Sequence, residues 1–152
     1  MIDLYQQLGA ITRAFEKAGV EYALCGGLAM AIYGFPRATI DIDFLLPDEG
    51  LSAARRTAAL LGYTLPASPM NFAKGKIRIE RVSKVDPESH DVLTLDLLLV
   101  TPATVKIWFD RRRAKWEMGE IWVVSRSGLI ELKKLRLSGQ DQDDIRRLEG
   151  EG

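Results

Sequence analysis

Leu4, Leu8, Ile11 and Phe15 recur three or four positions apart, which predicts an amphipathic helix with Asp3 as its start cap and Gly19 as its stop. Residues 21–25 form a short apolar run that reads as a strand ending at Gly26-Gly27. Residues 28–33 read as a short apolar helix closed by Gly34 and the turn at Pro36. From 38 to 46, apolar and β-branched residues alternate with Thr39, Asp41 and Asp43, a strand pattern. Residues 51–61 carry an Ala and Leu helical face. Strands follow at 76–82 and 92–100, joined by the polar stretch Asp86-Pro87-Glu88-Ser89-His90, which suits a hairpin-like return. A helix over 104–112, two strands at 115–118 and 121–124 around a turn at Gly119-Glu120, and closing helices over 127–137 and 141–148 complete the chain. The pattern is α+β with a mixed β-sheet flanked by helices, and without repeat or linker it implies one domain over 1–152.

Composition narrows the classes. The lone cysteine, Cys25, excludes a disulfide framework, and the lone histidine, His90, excludes a zinc site built on repeated Cys and His. The longest apolar runs are too short to span a bilayer, and residues 1–4 show no export pattern, so a cytoplasmic location is expected. Lys+Arg 21 balance Asp+Glu 21, so the charge does not indicate nucleic acid as a partner. A local excess exists over residues 104–136, with 9 basic and 4 acidic groups. Its Arg111-Arg112-Arg113 triplet reads as a solvated helix end rather than a phosphate grip.

Three carboxylates carry the candidate chemistry. Asp41 and Asp43, two apart on a strand, leave the same face about 7 Å apart. They suit a hard divalent cation such as Mg²⁺, or else line an edge strand facing water. Asp96 interrupts the apolar run of residues 93–99, where a lone charge is unfavourable. It joins the first two if the strands are neighbours, and three such carboxylates can clamp two metal ions about 3.5–4 Å apart. Alternatively it pairs with a core arginine. The Gly26-Gly27 turn between strand and helix allows close backbone approach to an anion such as a triphosphate.

Together these residues carry a resemblance. Gly26-Gly27, followed by Gly34-Phe35-Pro36-Arg37-Ala38-Thr39-Ile40-Asp41-Ile42-Asp43, resembles the signature of the nucleotidyltransferase-fold superfamily, the DNA polymerase beta-like group. In detail it is similar to the small bacterial nucleotidyltransferases related to AbiEii-type toxins and minimal MNT proteins. Asp96 matches the third acidic residue of that group. Leu129-Ile130-Glu131-Leu132-Lys133 and Gly139-Gln140-Asp141-Gln142-Asp143-Asp144-Ile145 are similar to its closing motifs.

The resemblance implies a nucleotidyltransferase fold and an enzyme that moves a nucleoside monophosphate from NTP to a hydroxyl on protein, RNA or a small molecule. Asp41, Asp43 and Asp96 would be the catalytic and metal-binding carboxylates, with Mg²⁺ or Mn²⁺, and Asp96 would help deprotonate the attacking hydroxyl. Gly26, Gly27, Arg37, Thr39, Lys133 and Asp141 would form the nucleotide site, with Asp141 or Asp144 orienting Lys133. Gly27 stands where many relatives carry Ser, leaving phosphate binding to backbone N–H groups. The chain ends near residue 150 without the acceptor-gripping domain of larger members. A protein partner or second copy would then supply that surface, or the chain is a non-catalytic component of a toxin–antitoxin or similar pair. Cys25 reads as a small core residue, His90 as solvated, and Trp108, Trp116 and Trp122 as packing residues.

Overall fold

The computed structural model describes residues 3–36, 39–136 and 139–150, with the side chains of 139 and 140 left aside. Helix α1, Leu4–Ala18, begins as its pattern requires: the Asp3 carboxylate accepts from the Tyr5 and Gln6 N–H groups at 3.0 and 3.3 Å. It stops at Gly19, whose φ of 73° is the left-handed cap conformation. Strand β1 (Ala23–Cys25) runs directly into helix α2 (Gly26–Ile32), so both glycines belong to the first turn of α2, two residues earlier than the apolar run suggested. The Tyr33 hydroxyl donates to the Val124 carbonyl at 2.7 Å and ties the end of α2 to the far side of the sheet. Strand β2 spans Asp41–Leu46. Its expected first residue, Ala38, lies outside the described residues, as do Arg37 and Leu137.

Helix α3 (Leu51–Leu60) follows, then strands β3 (Leu65–Pro66), β4 (Met70–Phe72), β5 (Ile77–Val85) and β6 (Val92–Leu99). After helix α4 (Val105–Phe109) come β7 (Arg112–Trp116) and β8 (Gly119–Val123), then helices α5 (Arg126–Arg136) and α6 (Gly139–Gly150). The β7–β8 turn is Glu117-Met118 rather than Gly119-Glu120, because Trp116 pairs with Gly119. Strands β3 and β4 were not expected. Neither alternates, and Pro66 is tolerated because β3 is an edge strand.

The eight strands form one mixed sheet in the order β3-β5-β6-β2-β1-β8-β7, with β4 also on β5. Pairs β2/β6 and β1/β8 are parallel and the rest antiparallel. Alternation along β2 divides the chemistry: Ile42, Phe44 and Leu46 leave one face, Asp41 and Asp43 the other. On the Phe44 face, the Phe15 and Tyr22 rings each lie 5.3 Å from Phe44, an edge-to-face aromatic cluster joining α1 to the sheet. On the Asp43 face, residues of α5 and α6 line a cleft with Asp43, Ile77 and Leu98. The apolar face is the anchor, and the carboxylates ride on its reverse.

Candidate active site

Register places four polar or reactive side chains in one row. Cys25 on β1 pairs with Asp43 on β2, Asp43 pairs with Asp96 on β6, and Asp96 pairs with Arg81 on β5. Asp41 sits one strand repeat from Asp43 on the same face. Asp43 and Asp96 are both buried, and Asp41 is half-buried. The adjacency expected of the Asp41 and Asp96 strands is therefore present.

Arg81 changes what the third carboxylate can do. Its Nε donates to Asp96 Oδ1 at 2.7 Å and its Nη2 to Asp96 Oδ2 at 3.0 Å, a two-pronged ion pair. Thus Asp96 is satisfied by an arginine, the alternative left open from sequence. Among the described residues, no three His, Cys, Asp or Glu side chains form a group able to hold a metal ion. The three carboxylates share a face but do not close on a common point. Arg81 itself was missed by sequence reading. Its signal is that Ile77, Ile79 and Arg81 share one face of β5, so the arginine interrupts an apolar phase opposite Asp96.

A narrow cleft opens beside the row, and its wall includes Gly26, Asp43, Lys133, Arg136 and Asp141. Two distant segments thus meet: the β1–α2–β2 turn and the α5–α6 corner. Gly27, Thr39, Asp41 and Asp96 do not line this cleft. Gly27 is buried in α2, and the Thr39 hydroxyl accepts from the Asp41 N–H at 3.3 Å, bracing the start of β2. A roomier groove of about 790 Å³, between Tyr5, Ile32 and Trp116, carries none of the three carboxylates. The chemistry therefore assigns the site to the smaller cleft.

Charge in the cleft is unevenly settled. Burial, then the negative charges of Asp96 and Asp41, push the Asp43 carboxyl up from its ordinary 3.8 to about 7, opposed by Arg136 and Lys133. Burial likewise pushes the Cys25 thiol well up, consistent with its core role and not with a nucleophile. Lys133 is buried, with Nζ 2.8 Å from Asp144 Oδ2 and 3.7 Å from Asp141 Oδ1. Asp144 is fully buried, so the pair also locks α6 onto α5. Elsewhere, Trp108 is buried with the Arg111 guanidinium 3.8 Å from its ring centre, as a packing residue should be. His90 is exposed in the β5–β6 connection.

The fold has solved counterparts. TM1012 from Thermotoga maritima, provisionally named a nucleotidyltransferase, superposes with a TM-score of 0.59 at 16% identity, over 100% of this chain and 97% of its own. ANT(2″)-Ia, solved in complex with adenylyl-2″-tobramycin, superposes with a TM-score of 0.64 at 13% identity, over 97% of this chain and 88% of its own. JHP933 from Helicobacter pylori gives 0.56 at 16% identity, over 96% of this chain and 64% of its own. The chain has the nucleotidyltransferase fold. No protein-family model and no curated protein matches it in sequence. Within the nucleotidyltransferase fold, Asp43, Gly26 and the α5–α6 corner of this chain surround one cleft. Among the described residues, no helix is long and apolar enough to cross a membrane.

Proposed function

We propose that residues 1–152 act as one minimal nucleotidyltransferase domain, moving a nucleoside monophosphate from NTP to a hydroxyl acceptor. The observation that carries this is the row Cys25–Asp43–Asp96–Arg81 beside a cleft whose opposite wall is cationic. The reaction makes a bond from the acceptor oxygen to the α-phosphorus, breaks the bond to the β-phosphate bridging oxygen, and releases pyrophosphate. The acceptor proton leaves to solvent or a nearby base. Such chemistry asks mainly for positioning and charge neutralisation.

Asp41 and Asp43 fit a divalent cation, Mg²⁺ or Mn²⁺. Both offer hard oxygens, and the crowding of negative charge that raises Asp43 is the environment a cation relieves. Two carboxylates suffice, since Mg²⁺ is commonly held by one or two of them plus substrate phosphates. When bound, the ion would neutralise phosphate charge and orient the triphosphate. Gly26 keeps the cleft floor open to the phosphates, and Lys133 and Arg136 stand on the opposite wall. Asp96 is held by Arg81, which takes one lone pair on each of its oxygens.

The acceptor class follows from chemistry alone, a hydroxyl on protein, RNA or a small molecule. The ANT(2″)-Ia complex with adenylyl-2″-tobramycin supports the small-molecule possibility by analogy. A protein partner or second copy would contribute the acceptor surface, and a cytoplasmic setting with ample NTP suits the reaction. The deciding experiment incubates the protein and Asp43→Asn with lysate, Mg²⁺ and NTP labelled on either the α- or the γ-phosphate. Transfer of the α-label alone, absent in the variant, supports the reading. Equal labelling by both proteins, or none by the wild type, refutes it in favour of a non-catalytic, toxin–antitoxin-like module.

A further inference from the structure

Two cations face the cleft from α5, and their circumstances differ. Lys133 is 5% exposed, with a short bond to fully buried Asp144 and a longer contact to Asp141. Its charge is spent inside the α5–α6 corner. Moving Nζ to a ligand would break a short ion pair inside the buried corner, which is costly. Arg136, one turn further along α5, lines the same cleft with its side chain 49% exposed. Among the described residues its one ion pair is a loose 3.8 Å approach of Nε to Asp141 Oδ2. Among the described residues the remaining guanidinium donors make no hydrogen bond, and they can turn toward an anion.

We infer that Arg136, rather than Lys133, is the side chain that meets the triphosphate of the incoming nucleotide in this cleft. The inference rests on the nucleotidyl-transfer reading and deepens it. Arg136 presents a planar fork of donors matched to phosphate oxygens, whereas Lys133 offers a point charge already held. Asp141 then acts as the swivel: it stands within ion-pair range of Arg136 on one side and of Lys133 on the other. Loss of Arg136 should remove affinity for the phosphate chain and leave the fold intact, since the side chain is half in water.

The test measures binding of a fluorescent ATP analogue with Mg²⁺, competed by inorganic tripolyphosphate, for wild type, Arg136→Gln and Arg136→Lys. Thermal melting is followed in parallel. Wild type is expected to bind, and Arg136→Gln to weaken both the analogue and tripolyphosphate by about 10- to 100-fold with its melting temperature unchanged. Arg136→Lys should recover part of the loss, because charge returns without the fork. If Arg136→Gln binds both as tightly as wild type, Arg136 is not the phosphate contact and the inference falls while the functional reading stands. If the wild type binds neither, the functional reading falls and takes the inference with it.

Discussion

Gly26 lies so close to Asp43 that a β-carbon added to it would sit 2.7 Å from Asp43 Cγ and 2.9 Å from its Cβ. The backbone there also has a φ of +70°, a conformation that L side chains resist. The glycine at the α2 start is therefore required twice, by conformation and by the carboxylate it faces. Gly26→Ala should destabilise the protein by about 2–4 kcal/mol in urea unfolding and weaken nucleotide binding. A variant as stable as wild type would show that the turn relaxes freely and that the packing is incidental.

Arg81 and Asp96 give a second expectation. Arg81→Gln leaves a buried carboxylate without its two-pronged partner, at a cost of about 1–2 kcal/mol because the arginine side is 36% exposed. The double variant Arg81→Gln/Asp96→Asn should lose less than the two single losses combined. Strict additivity in chemical denaturation would deny the coupling.

The pH dependence follows from Asp43. Its carboxyl is raised from 3.8 to about 7 in the folded state. Between about pH 4 and pH 7 the folded chain holds a proton that the unfolded chain has lost, so stability falls as pH rises through this window. A divalent ion competes with that proton and binds the ionised form. Mg²⁺ should accordingly raise the melting temperature more at pH 8 than at pH 6, and Asp43→Asn should abolish the difference. Equal shifts at both pH values would contradict the placement of the ion at Asp43.

Lys133 serves the fold through Asp144, which is 0% exposed. Lys133→Met should cost about 3–5 kcal/mol by breaking the buried ion pair at that carboxylate, and Lys133→Met/Asp144→Leu should restore part of it. Urea midpoints decide between this and a cation that serves only ligand.

Much of this was legible in the chain. The Asp-x-Asp strand, the isolated Asp96 and the glycine pair marked the row, because a charge inside an apolar run is expensive and so conspicuous. The capped α1 and the long strands β5 and β6 were written in strong periodicities. What stayed hidden depended on pairing across the sheet. Arg81 looks like an ordinary strand cation until register sets it opposite Asp96. Arg136 looks like one charge in a basic segment until the α5–α6 corner aims it at the cleft. Strands β3 and β4 are too short to impose a pattern, and the β7–β8 turn shifted because pairing, not glycine, fixed its ends. Of the residues expected at the nucleotide, Thr39 braces the start of β2 and Gly27 is buried in the first turn of α2.

The central claim is that the cleft at Asp43 binds a nucleotide together with a divalent ion. Calorimetric titration of a non-hydrolysable ATP analogue into wild type and Asp43→Asn, each with Mg²⁺ and with chelator, addresses it most directly. Binding by the wild type only when Mg²⁺ is present, and none by the variant, is the predicted result. Wild-type binding indifferent to Mg²⁺, or an Asp43→Asn protein that binds just as well, would contradict the account.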